Sequence, residues 1–162
     1  MDGAGRAPAK PTGVVPVDRL RGMTGLEFLR GILAGELPGP PICDVLPFAL
    51  VEAEAGRAVF AGTPDARLLN PLGTVHGGFA LTLIDSCAGC AVQSVLPAGQ
   101  AYTTVETKVN FVRPLTAATG RLTAEGRVVH AGSRIASAEG RLVDAAGKLY
   151  AHGTSTCLII PL

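Results

Sequence analysis

The chain has 162 residues, with 14 Lys and Arg against 13 Asp and Glu, a net charge of +1 and only 4% aromatic residues. The length suits one globular domain with a sizeable core. The balanced charge leaves no electrostatic footprint for nucleic acid, the scarce aromatics leave no stacking platform, and no apolar run reaches the ~20 residues of a membrane span.

Met1 to Arg21 is a Gly, Ala and Pro stretch without apolar periodicity, predicted to be a flexible tail preceding a single domain over 22–162. It also lacks the basic-then-apolar pattern of a secretory leader, so a cytoplasmic location is the default expectation. Thr24-Gly25-Leu26-Glu27 has the spacing of a capping box, and Leu26, Leu29, Ile32 and Leu33 follow at helical intervals until Gly35 and Pro38. A Pro-rich link leads to two strand-like runs, Phe48 to Glu54 and Arg57 to Gly62, joined by a tight Ala55-Gly56 turn. The glycine-punctuated run from Asn70 to Gly78 then opens an apolar helix predicted over Phe79 to Leu96. Four further strands are predicted as an antiparallel meander: Tyr102 to Val112, Gly120 to His130, Arg134 to Val143 and Leu149 to Ile160. In the first of them, Thr104, Glu106 and Lys108 interleave with Val105, Thr107 and Val109. Together these elements predict an α+β domain in which a curved antiparallel sheet wraps one long central helix, with a short helix N-terminal to it. A chain this small is expected to bury its remaining apolar surface against a copy of itself.

Asp85 is the one formally charged residue between Leu68 and Val105. An isolated Asp in an apolar run can be a cap, a solvent-facing residue or a satisfied core acid. The first reading fails because Asp85 lies about two turns inside the predicted helix, and the second is weakened because the helix has no charged stripe. A carboxylate in that setting costs several kcal/mol unless it is satisfied, so a chemical role is the sharper reading. Cys43, Cys87, Cys90 and Cys157 are too few and too irregular for a disulfide framework. The Cys87-x-x-Cys90 pair lies too deep in the helix for its N-terminal field to activate a thiol, no zinc spacing accompanies it, and no metal site is predicted.

The run N-x-x-G-x-x-H-G-G, here Asn70, Gly73, His76, Gly77 and Gly78, followed by an apolar helix bearing Asp85, resembles the hotdog-fold acyl-CoA thioesterases of the phenylacetate-pathway (PaaI) type, which are similar to the 4-hydroxybenzoyl-CoA thioesterases. The resemblance extends roughly from Asp18 to Leu162. It implies hydrolysis of an acyl- or aryl-CoA to free acid and CoA, with no cofactor beyond the CoA of the substrate. It implies Asp85 as general base or nucleophile, Asn70 as the amide orienting water or thioester, His76 as support for the loop and the thioester, Gly77 as the carbonyl-polarising amide, and Thr104 as a hydroxyl that helps hold the water. The backbone N–H of Gly77, or of Gly78, at a helix N-terminus can hold the negative charge that grows on the carbonyl oxygen. For the CoA phosphates the resemblance points to the Ser133-Arg134 corner, with Arg113 and Lys108 behind it. His130 and His152 receive no catalytic role.

The same residues have plainer readings. His76 can simply tie its loop together, Asn70 can open a turn, and Thr104 can be a strand former. The same fold also serves non-catalytic acyl-CoA-binding proteins, which would need the pocket without the acid, and acyl-carrier dehydratases or hydratases, which pair a His with the acid in a different motif. Gly77 and Asp85, eight residues apart on one helix, would stand about 12 Å apart along its axis, too far to meet at one carbonyl. The expected assembly is therefore a homodimer with shared sites, in the resembling family often a dimer of dimers.

Overall fold

A computed structural model describes residues 11–162. Three short helices, α1 (Val17–Arg21), α2 (Gly25–Ala34) and α3 (Ile42–Val45), precede the hairpin β1 (Phe48–Glu54) and β2 (Arg57–Gly62). The long helix α4 (Gly77–Gln93) follows, and then β3 (Gln100–Phe111), β4 (Leu122–Ala131), β5 (Ile135–Asp144) and β6 (Leu149–Pro161). The six strands form one antiparallel sheet in the order β1-β2-β4-β5-β6-β3. The expected curved sheet around a central helix, the hotdog arrangement, is what forms.

Two expectations need correction. Residues 11–21 are not a loose tail: a backbone hydrogen bond joins Gly13 N to Gly39 O at 2.9 Å, another joins Gly39 N to Pro11 O at 2.8 Å, and Val15 is buried. Val15 supplies the apolar anchor and the Pro-rich link supplies the backbone partners, a pairing between distant segments that periodicity cannot register. The part of the expected tail over 1–10 lies outside the described residues. The four later strands are also not a simple meander. β4, β5 and β6 are, but β3 pairs with β6 along its whole length, from Gln100 opposite Pro161 to Phe111 opposite Ala151, and forms the sheet edge. The link 112–121 between β3 and β4 contains Pro114 and is too long for a tight hairpin, so nothing local forces the two strands together.

α2 begins on the capping box read from its sequence, with Glu27 N donating to Thr24 Oγ1 and Thr24 N donating to Glu27 Oε2, and it ends at Gly35 with φ +77. α4 begins at His76, whose Nδ1 accepts from Gly78 N at 2.9 Å. Its Leu83, Ile84, Cys87 and Ala88 are fully buried against the sheet. The helix sinks onto that sheet because Gly126, Gly140 and Gly153 stand in register across β4, β5 and β6 directly beneath it. A Cβ at 126 would run into the Cys87 carbonyl, and one at 140 would lie 3.1 Å from the Cys87 sulfur. The missing side chains form a trough that fixes the height of α4, and therefore of Asp85, over the strands.

Candidate active site

Asp85 projects from the middle of α4 onto the wall of a cavity of about 810 Å³. Its Oδ1 accepts from Thr107 Oγ1 at 2.8 Å and from Thr104 Oγ1 at 3.1 Å, both on β3. Thr107 Oγ1 also lies 3.1 Å from the Ser155 hydroxyl on β6. Oδ2 has no hydrogen-bond partner among the described residues. One carboxylate oxygen is thus held by two donors while the other keeps its lone pairs.

Thr107 is the residue that sequence reasoning missed, and the reason is geometric. Residues three apart on a regular strand point to opposite faces, so Thr104 and Thr107 could not both reach the helix. The pairing of β3 with β6 shifts register between Thr104 and Glu106, and this bulge inverts the phase of the alternation. Upstream of the bulge Tyr102 and Thr104 are the half-buried positions, downstream they are Thr107 and Val109, while Val105 and Glu106 are exposed. The strict interleaving expected through 104–109 is broken there.

Most of the cavity wall is apolar. Phe28 and Ile32 of α2, Leu50 of β1 and Phe60 of β2 contribute to it, so the short N-terminal helix covers the site. Cys90 also lines it, and burial pushes that thiol up to about 12 despite its hydrogen bond with Tyr102, while burial raises Cys87 further. Both therefore remain protonated thiols near neutrality and pack as small apolar groups. Among the described residues no group of three His, Cys, Asp or Glu side chains could hold a metal ion, and no helix is long and apolar enough to cross a membrane.

The remaining predicted residues stand apart from Asp85. Asn70 is wholly engaged in its own loop: Oδ1 accepts from Leu72 N at 2.9 Å and Thr74 N at 3.3 Å, and Nδ2 donates to Thr74 Oγ1 at 2.8 Å. His76 is exposed and caps α4 through Nδ1, which leaves the proton of the neutral ring on Nε2. Because the Gly78 N–H is taken by that cap, Gly77 N–H at the first helical position is the amide left without a partner among the described residues. It lies beside Phe111 and Arg113 in a separate cleft of about 220 Å³. Ser133 and Arg134 sit in the β4–β5 turn, next to the β6 end that pairs with Thr103, and outside the cavity wall. The protomer brings together Asp85, Thr104 and Thr107 as one group and Asn70, His76, Gly77 and Gly78 as another.

Residues 72–151 match the family model described as the thioesterase superfamily. A Saccharolobus solfataricus relative with a provisional esterase description is 32% identical over 119 residues, which cover 74% of this chain and 83% of the relative. A Halobacterium salinarum relative with the same kind of description is 45% identical over 65 residues, and there the match spans 39% of this chain and 41% of the relative. Among solved structures, a variant of the phenylacetic acid degradation protein PaaI from Thermus thermophilus superposes with a TM-score of 0.65 at 31% identity, covering 73% of this chain and 97% of that one.

Proposed function

Because the chain belongs to the thioesterase superfamily, we propose that it hydrolyses acyl-CoA thioesters with Asp85 as the reacting carboxylate. The observation that carries this reading is the asymmetry of Asp85. Two hydroxyls hold Oδ1, and Oδ2 is free on the wall of a mostly apolar cavity. A water resting on Oδ2 gives up its proton to the carboxylate as its oxygen bonds to the carbonyl carbon. Alternatively, Oδ2 itself bonds to that carbon and water then cleaves the mixed anhydride. On either route the C–S bond breaks, and its electron pair leaves with the CoA sulfur, which takes up a proton. A single turnover in ¹⁸O water tests for the second: water attacking the Asp85 carboxyl carbon of the anhydride puts the label into the enzyme, which the first route never does. Neither route calls on a cofactor beyond the CoA of the substrate.

The carbonyl oxygen needs a donor about 3 Å away, and Gly77 N–H at the start of α4 is the open amide. Eight residues of one helix put it about 12 Å from Asp85 along the axis, so the same chain cannot supply both. β3 is a long edge strand paired on one side only, with Val105 58% exposed, and such an edge invites a second copy. Pairing β3 with its equivalent about a two-fold axis sets the two α4 helices antiparallel and brings Gly77 of one subunit beside Asp85 and Thr104 of the other. In this reading Asn70 and His76 hold the loop that presents Gly77, Gly78 lets the thioester approach closely, and Ser133 and Arg134 meet the CoA phosphates. Two such dimers assemble as a dimer of dimers. Release of free thiol from a panel of acyl-CoAs tests the activity. A protein that binds acyl-CoA and releases no thiol from any of them would be a binding protein on this fold instead.

A further inference from the structure

Part of the cavity wall comes from the segment whose composition reads as a tail. Gly13, Val14 and Val15 line it, continuous with Pro38 and Ile42 of the Pro-rich link and α3. Beyond the two backbone hydrogen bonds to Gly39, the Thr12 hydroxyl donates to Asp44 of α3, and Gly13 packs against Pro38. Val15 is 7% exposed, whereas Val14 at the rim is 84% exposed. Among the described residues of one protomer, the charged side chains on the wall are Asp85 and Glu106, with no Lys, Arg or His.

We propose that the strap over residues 11–15 is the specificity element of this site, selecting acyl groups that are uncharged, apolar and large enough to reach it. The proposal rests on the acyl-CoA reading above and names the acyl class within it. An acetyl group held at Asp85 occupies a small part of 810 Å³ and leaves the strap in water. A medium-chain or aryl group removes Val14 of the strap and the adjoining prolines of the link from water, and the strap, already pinned by hydrogen bonds, loses little freedom in receiving it. An acyl group ending in a carboxylate enters a mostly apolar wall whose charged groups, among the described residues of the protomer, are both acids, so it is rejected by desolvation and by repulsion.

The test uses non-hydrolysable thioether analogues of acetyl-, octanoyl-, phenylacetyl- and adipyl-CoA, titrated calorimetrically against the full chain, the Val14→Asp variant and a variant lacking residues 1–15. The full chain should bind the octanoyl and phenylacetyl analogues more tightly than the acetyl and adipyl ones. Val14→Asp, at an exposed position that keeps the fold, should weaken the octanoyl analogue by about 10-fold or more, at least about five times its effect on acetyl. The deletion should repeat this pattern with a larger loss, and if it fails to fold Val14→Asp decides alone. Equal losses for acetyl and octanoyl, no loss in Val14→Asp, or preferred binding of the adipyl analogue would overturn the strap's role. The corresponding thioesters are assayed alongside. Analogues that bind in the predicted order while the thioesters stay intact would overturn the hydrolase reading and leave the strap standing.

Discussion

Asp85 is half-buried on the cavity wall and has donors on one oxygen only. Asp85→Asn preserves shape and removes the charge that activates water, so thiol release should fall by about 100-fold or more while the melting temperature changes little. Thr107→Val removes the shorter of the two contacts and leaves Oδ1 held by Thr104 alone, so the carboxylate turns more freely. We expect kcat to drop by about 10-fold with KM nearly unchanged, and Thr104→Val to be milder. The thiols behave differently. Burial raises Cys90 to about 12 and raises Cys87 as well, so the unfolded chain releases these protons first as pH climbs. Stability is then unaffected below the ordinary thiol value near 8.5 and is lost as pH rises from there toward 12. The Cys87→Ala, Cys90→Ala protein should keep its hydrolysis and show a shallower fall of melting temperature across that range.

His76 is legible in the glycine run but its work is not, because an imidazole there could cap a helix or touch substrate. The contact from Gly78 N makes it the N-cap of α4. His76→Ala should cost about 1 kcal/mol in denaturant unfolding, and His76→Asn, whose side-chain oxygen can accept the same bond, should recover most of it. Failure of Asn to recover stability would mean the ring acts through some other contact. The trough under α4 makes a sterner demand. Gly126→Ala drives a methyl into the Cys87 carbonyl and should destabilise by about 1–3 kcal/mol, with activity falling as α4 and Asp85 are lifted from Thr107. No local pattern reveals the glycine row, because the three residues come from separate strands and meet only through register.

The shared-site arrangement has a test that needs both kinds of subunit. Asp85→Asn and Asn70→Ala, His76→Ala chains should each be nearly inactive. After joint refolding, half of the dimers are mixed and carry one intact site of two, so about a quarter of wild-type activity should return. Verified mixed dimers without recovered activity would place each site within one chain.

The hairpin β1–β2, the capped helix α2, the long apolar helix and its lone acid can all be read from the residues, because each rests on local signals: an Ala-Gly turn, a Thr-x-x-Glu box, an apolar run and one charge in it. The motif around His76 and Asp85 likewise pointed to the family that the matched relatives bear out. Three features needed the tertiary structure. Thr107 joins Asp85 only because a bulge, created by the partner strand, reverses the face on which it lies. The strap over 11–15 becomes a cavity wall only because its backbone finds a donor and an acceptor on Gly39, far along the chain in the Pro-rich link. β3 becomes the edge strand because β6, the last strand of the chain, takes its place beside β5. Local sequence carries the free energy of turns, caps and amphipathic faces. Register, bulges and long-range pairing are decided by which surfaces can be buried together, and that is a property of the assembled core.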